Sequence, residues 1–255
     1  MPRSIWNGTI TFGMVNVPIK LYSAVESKTV HFSEVHVKDG AQIEHRRICP
    51  KEEKEVPYEE IVKGYEVAPD EYVVLDKEEI KAAAGDRGKV VHLEEFVEVA
   101  EIDPVFYEKT YYLGPRVDAD VYRLLHDALR RSGRAGIGRF TFHDREYLVA
   151  VRALDGVMAL HTLRFHDEVV GGGDLELGAG GRKPSRREVK MAEQLVDSLH
   201  ESFDPRRYED TYRDAVLDLI KRKAAGKEID LLEQEEPDQG TDLAAALEAS
   251  LKAGR

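Results

Sequence analysis

Residues 4–24, SIWNGTITFGMVNVPIKLYSA, constrain the fold more than any other stretch of the chain. Trp6, Gly8, Ile10 and Phe12 share one face of a strand. Val15, Val17, Ile19 and Leu21 alternate with Asn16, Pro18, Lys20 and Tyr22. Period-two alternation buries one face and leaves the other wet, so the stretch predicts two strands about a tight turn at Gly13-Met14. Pro18 cannot donate a ladder hydrogen bond and belongs at an edge or bulge. A lone hairpin cannot cover its apolar face, so a barrel or sandwich must be built against it.

The remaining elements follow from local signals. Residues 29–37 form a modest strand candidate, ended by the turn dipeptide Asp39-Gly40. Residues 41–56 are polar and carry Arg46, Arg47 and Cys49. Pro57 opens a short helical turn over 58–63 that Gly64 stops. Strands are expected at 65–67 and 72–75, then a short helix to Ala84, opened by the capping box Asp76-x-x-Glu79 and closed by Gly85. Further strands span 90–99 and 105–113. An amphipathic helix runs from Ala119 to Arg131, with Val121, Leu124, Leu125, Ala128 and Leu129 as its apolar stripe and Gly133 as its stop. Strands at 137–143, 147–153 and 157–165 follow, the last two joined by Asp155-Gly156.

Residues 171–181 hold six glycines and read as a flexible loop. A helix then begins at the capping box Ser185-x-x-Glu188 and is expected to bury Val189, Ala192, Leu195, Val196 and Leu199. A second begins at Asp204-Pro205, presents Tyr208, Tyr212, Ala215, Val216, Leu219 and Ile220, and ends at Gly226. Residues 228–240 have no periodicity. A last short helix over 242–253 carries Leu243, Leu247 and Leu251. The layout is mainly β with α, an α+β chain. The expected divisions are a β core with its ribbon at 1–184, a helical arm at 185–226, and an acidic linker with a short helix at 227–255.

Composition narrows the function. A formal net charge of −12 argues against indiscriminate nucleic-acid binding by the whole surface. From residue 226 onward three basic residues face eight acidic ones, so the remaining −7 is spread over a much longer core. One cysteine excludes an internal disulfide framework and fits a reducing cytoplasm. No signal-peptide pattern and no membrane-length apolar run is seen, so no membrane partner is expected.

Catalytic motifs are missing: there is no G-x-S-x-G, no H-E-x-x-H, and no G-x-G-x-x-G after a strand. GAGGRKPS at 178–185 echoes a phosphate loop, but Pro184 and the lack of a preceding strand favour a linker. His31 with His36, and His161 with His166, are spaced five apart on expected strands and so fall on opposite faces. Satisfied or surface histidines are the simpler reading. Cys49 and Glu52 offer one thiolate and one carboxylate where zinc would want two thiolates. No cofactor, no metal and no enzymatic activity are expected. A metal-dependent hydrolase and an acidic protein-binding scaffold are the competing readings.

Three basic clusters stand out: Arg46 and Arg47 in the polar segment; Arg130, Arg131, Arg134 and Arg139 about the end of the central helix; and Arg182, Lys183, Arg186 and Arg187, with Lys190, at the start of the first arm helix. A solvated charged face is the plain alternative for each. Cations at a helix C-terminus are favoured by its dipole, which accounts for Arg130 and Arg131. Arg186 and Arg187 lie in a first turn, where the dipole opposes them by about 0.3–1 kcal/mol unless an anion is near. No cluster carries the aromatic interleaving of a single-strand platform or the pattern of a major-groove reader. Any nucleic acid should therefore be duplex, held by its backbone, with little sequence preference.

Four blocks resemble the bacterial Ku proteins: the opening hairpin, EVPYEEIVKGYE at 55–66, EEFVEVAEIDPVFYEKTYYLGP at 94–115 and FDPRRYEDTYRDAVLDLIKRKAAGK at 203–227. The resemblance runs in order through essentially the whole chain. It implies a Ku-type β-barrel core whose homodimer closes into a ring, threads onto double-stranded DNA ends, and serves non-homologous end joining near the nucleoid. It also implies recruitment of the multifunctional ATP-dependent DNA ligase of that pathway, with 185–226 as an arm embracing the partner subunit. Residues 41–56, as an out-and-back ribbon of about eight residues a side, could project roughly 25 Å. Many relatives have Cys-x-x-Cys where this chain has Cys49 and Glu52, which argues against zinc there. The lysine-rich tail of some relatives has no counterpart. Leu243, Leu247 and Leu251 become ligase-docking candidates through the resemblance.

Overall fold

A computed structural model describes residues 3–84, 89–117, 119–142, 145–174 and 183–226, with the side chains of 77, 81, 83 and 84 left aside. The chain divides into two compact units, 1–27 with 34–174, and 28–33 with 175–255.

The first unit is organised by a closed barrel. The opening hairpin forms as expected: β1 (Trp6–Phe12) pairs antiparallel with β2 (Val15–Ser23), and Gly13 takes the left-handed φ of +55° that the turn requires. Ile10, Val17, Ile19 and Leu21 are fully buried. Seven strands close the barrel in the order β1-β2-β8-β11-β10-β9-β7. Here β7 is Val90–Glu98, β8 Tyr107–Pro115, β9 Arg134–Phe142, β10 Arg145–Leu154 and β11 Val157–Leu163. All neighbours are antiparallel except β1 and β7, which meet in parallel register with Thr9 opposite Val90 and Ile10 opposite Val91.

Pro18 lies on a strand paired on both sides rather than at the expected edge or bulge, and it is accommodated where the β2–β8 ladder stops. The β2–β8 ladder runs through Ile19 opposite Pro115, and the next N–H, of Arg116, donates to the Pro18 carbonyl at 3.1 Å. The return bond does not exist because proline has no N–H, so the ladder ends there. On the far side of the barrel, β7 shifts register between Leu93 and Glu95. Gly138 of β9 faces that shift. A Cβ at Gly138 would lie 1.8 Å from the His92 carbonyl oxygen, so only glycine admits the close backbone approach.

Helix α2 (Ala119–Ser132) packs against the barrel through Tyr122, Leu125 and Leu129, and stops at Gly133 with φ +69°. The Tyr122 hydroxyl donates to the Leu113 carbonyl of β8 and accepts from the Met158 N–H of β11. It thereby ties the helix to two adjacent strands, and burial pushes its pKa up. The expected stripe is corrected here: Leu124 is 71% exposed and Tyr122 takes the buried place. Leu124 instead lines an apolar groove of about 420 Å³ with Phe12, Val15, Phe96, Val121 and Ala128. A second apolar cluster, Ala135, Ala150 and Leu163, is packed by Val99, Ile102 and Phe106 from the β7–β8 connection. That connection makes a short 3-10 turn at Pro104–Phe106, so β8 starts two residues later than expected.

The segment between β2 and β7 differs from its expectation in several places. Residues 29–37 form no strand. Only an isolated Val35–Gln42 bridge pairs there, because the stretch is exposed and has no sheet to join. The Asp39-Gly40 turn is present, with Gly40 at φ +72° and Asp39 accepting from the Ala41 N–H. The 41–56 ribbon reduces to β3 (Ile48–Cys49) against β4 (Lys54–Glu55). Residues 41–43 fold back on 34–36 instead. Tyr58–Glu60 is a 3-10 turn, and Gly64 lies inside β5 (Lys63–Ala68), which pairs with β6 (Glu71–Leu75). Helix α1 (Lys77–Ala84) carries both bonds of its Asp76–Glu79 capping box; Gly85 falls outside the described residues. Among the described residues of 25–84, none is buried.

In the second unit α3 (Arg186–Ser198) begins at its Ser185–Glu188 capping box. Asp204-Pro205 opens only a 3-10 turn, and α4 (Thr211–Ala224) starts instead at Asp210, whose carboxylate accepts from the Arg213 N–H. The two sites carry the same kind of cap, so local signals do not separate them. The five apolar positions of α3 are not buried as expected: Val196 and Leu199 are 69% and 68% exposed. Most of the glycine-rich 171–181 loop lies outside the described residues.

Tyr122→Phe removes the hydroxyl and leaves a buried carbonyl and a buried N–H without their partner. It should destabilise the barrel by about 1–3 kcal/mol, read as a lower urea midpoint at unchanged slope.

Candidate nucleic-acid interface

A phosphate is held by cations whose charge is not already spent on a carboxylate. The arginines of the first unit separate on that criterion. Arg134 on β9 bonds Glu98 at 3.0 Å. Arg139, outward on the same strand, bonds Glu94 at 3.1 Å and Glu146 at 2.8 Å, and these carboxylates raise its pKa. Arg130 lies 3.9 Å from Asp127, whose pKa is lowered chiefly by a hydrogen bond from His126. Arg46 lies between Glu44 at 3.8 Å and Glu55 at 3.6 Å. Arg47 stacks 5.3 Å over the Tyr58 ring. Such exposed pairs add little stability, yet each offsets a positive charge locally. Arg131 makes no salt bridge among the described residues, although its charge also acts on Asp127.

Two arginines outside the sequence clusters are anchored by neutral groups. Arg164, just past β11, donates to the carbonyls of Val105 at 2.9 Å and Tyr107 at 2.7 Å. Arg152 on β10 donates its Nε–H to His161 Nε2 at 3.0 Å. Since that nitrogen accepts, the His161 proton sits on Nδ1 and points to Thr110 Oγ1, 2.9 Å away. His161 is 5% exposed, with the Tyr107 ring edge-on at 5.1 Å. Burial first, and the Arg152 charge second, depress its pKa to about 4. At neutral pH the anchor is therefore uncharged.

His161 is the satisfied histidine that its strand position suggested. His31, His36 and His166 lie on no strand, so the opposite-face argument does not apply to them. Arg152 was missed because it stands alone in sequence. Its outward place was legible from the inward alternation of Val149, Val151 and Ala153 on β10.

In the second unit Lys183 and Arg186 stand beside the α3 N-terminus without a carboxylate partner among the described residues, and Arg187 beside them is engaged. Arg182 and the tail leucines Leu243, Leu247 and Leu251 lie outside the described residues. The Cys49 thiol is free and half-buried, and among the described residues no three His, Cys, Asp or Glu side chains gather about a metal-sized space. No described helix is long and apolar enough to cross a membrane.

A closed seven-stranded barrel with a long exposed insertion and an exposed helical pair defines the structural class. Comparison makes the class specific. A family model described as the Ku70/Ku80 beta-barrel domain matches residues 11–193. The non-homologous end joining protein Ku of Anaeromyxobacter sp. (strain K) is 49% identical over 258 residues, covering 100% of this chain and 87% of that relative. Ku 1 of Geotalea uraniireducens (strain Rf4) is 36% identical, covering 98% and 97%, and Ku of Bacillus subtilis (strain 168) is 34% identical, covering 98% and 81%. The chain belongs to the Ku family, a family of non-homologous end joining.

The His161 titration has a direction. In the fold the imidazole takes a proton only near pH 4, whereas in the unfolded chain it does so near 6.5. Between those values the unfolded state binds more protons, so stability falls as the pH drops, and the contribution is complete above 6.5. Melting temperatures measured across this window should rise with pH, and His161→Gln should flatten the rise.

Proposed function

We propose that the chain acts without catalysis, as a homodimeric ring that threads onto double-stranded DNA ends and recruits the ATP-dependent ligase of bacterial end joining. The observation that carries this reading is the insertion between β2 and β7. A two-stranded hairpin is marginal alone in water. Yet β5 and β6 present Tyr65, Val67, Val73 and Leu75 on one face, each between 39% and 71% exposed. Contiguous exposed apolar surface of this kind marks an interface. A second copy is the partner proposed, since a two-fold axis can use the same patch twice.

The helical pair supports the same reading, because Tyr208, Tyr212, Val196 and Leu199 are all more than two-thirds exposed. Residues 185–226 would then be the arm that embraces the partner, and 1–184 the core and ribbon. The cations proposed to face the duplex are Arg46, Arg47, Arg130, Arg131, Arg134, Arg139, Arg182, Lys183, Arg186 and Arg187. Those freest of carboxylates would contribute most. Affinity would come from counterion release and would weaken steeply with salt. The ligase would dock on Leu243, Leu247 and Leu251 of the 227–255 segment.

Val73→Glu places a charge in the apolar ribbon face and should convert the dimer to monomer in sedimentation, with the barrel's melting unchanged. Binding should be tight to linear duplex and at least tenfold weaker to closed circles of the same sequence, measured across a salt series. Equal affinity for both would refute threading, and sustained cleavage of DNA with magnesium would favour the hydrolase reading.

A further inference from the structure

We propose that Arg152, held by His161 on the outer face of the barrel, is a phosphodiester-contacting residue, with His161 as its positioning residue. The inference rests on the duplex-binding reading above and adds a contact that no basic cluster in the sequence contains.

Tyr22, Tyr112, Ala159, Arg152 and Ala135 lie opposite one another across β2, β8, β11, β10 and β9, so they form one lateral row on the outside of the barrel. Arg152 is flanked in that row by two alanines that are both fully buried. Arg152 is itself half-buried, between neighbours that the fold covers. His161 occupies the next row, diagonal to Arg152, within reach of a long side chain across strands. The bond from Nε to His161 fixes the plane of the guanidinium and leaves both terminal amino groups uncommitted among the described residues.

An arginine tied to a carboxylate is oriented but neutralised. One tied to an imidazole is oriented and keeps its charge. Thr110 completes the device by accepting the His161 Nδ1 proton, which leaves Nε2 as the acceptor facing Arg152. Along the same face, Tyr22, Tyr112, Leu154 and Val157 wall a concavity of about 660 Å³, with Asp155 at its edge. Arg152 does not line that concavity, but a planar, preoriented cation on the same face suits the bidentate recognition of phosphate oxygens.

The test is binding of the full chain to linear duplex across a salt series. For a homodimer, Arg152→Gln should lower affinity about tenfold and make the slope of log K against log salt shallower by about 1.8, two phosphates at about 0.9 each. His161→Gln should lower affinity less and leave the slope unchanged, since the charge stays while its orientation loosens. Arg152→Lys should restore the slope and part of the affinity. A purely structural Arg152–His161 bond would lower the melting temperature and leave the slope alone, and that result overturns the assignment. If the glutamine variant melts early, phenylglyoxal modification of the unsubstituted protein decides instead. Duplex should protect Arg152, and equal labelling with and without duplex overturns the proposal. Failure of the unsubstituted chain to bind linear duplex overturns the duplex-binding reading itself, and this assignment with it.

Discussion

The parallel pairing of β1 with β7 is the constraint on which the rest of the first unit depends. Without it the antiparallel strands would form an open, curling sheet with two raw edges, and closure alone removes such edges. Closure also dictates what happens to the chain between those strands. Once β2 has turned back beside β1, the described residues of 34–84 add no strand to the barrel, and the chain meets its rim again at Lys89, whose carbonyl accepts from the Thr9 N–H at 2.9 Å. The insertion has no seam left to enter. Its strands pair only with each other, and its apolar side chains stay outside.

The barrel meets this demand with few devices. Trp6 sets its ring edge against Phe140 at 4.9 Å, locking β1 toward β9 beneath the closing pair. Gly138 lets the β7 backbone approach β9 where the register shifts. Tyr122 binds α2 to the β8–β11 seam through two backbone groups that would otherwise be buried without partners. Each device reaches at least one element far away in sequence. A fold of this kind pays its loop-closure entropy before its contacts reward it.

That distance separates what was legible in the sequence from what was not. The hairpin, the Asp155-Gly156 turn, the caps of α1 and α3 and the limits of α2 were readable because each is written within a few residues. The β1–β7 pairing was not, because nothing local marks a partner eighty residues away. Leu124 and Tyr122 show the same limit within one helix. Periodicity groups the apolar positions, but the barrel decides which are covered, and a tyrosine with a hydroxyl partner was the better plug. The surroundings of the basic clusters were hidden for a different reason. Runs of arginine are conspicuous in sequence, whereas the carboxylates that offset them arrive across strands, as Glu94 does to Arg139 over 45 positions.

Net charge is accordingly a poor guide to where an anion can bind on this chain. At physiological salt the screening length is about 8 Å, and strands lie about 4.8 Å apart, so a carboxylate two strands away is already largely screened. What a phosphate senses is the immediate shell of each cation. By that measure Arg139, with two carboxylates in contact, offers less than Arg152, whose contact is an imidazole kept uncharged by its own burial. A protein of formal charge −12 can thus present local positive sites without a basic surface. Burying a neutral anchor achieves this more selectively than adding lysines, because it fixes direction as well as sign. The cost is a histidine that the fold must hold away from its preferred proton, and the barrel's outer rows, closed and rigid, are where such a cost can be carried.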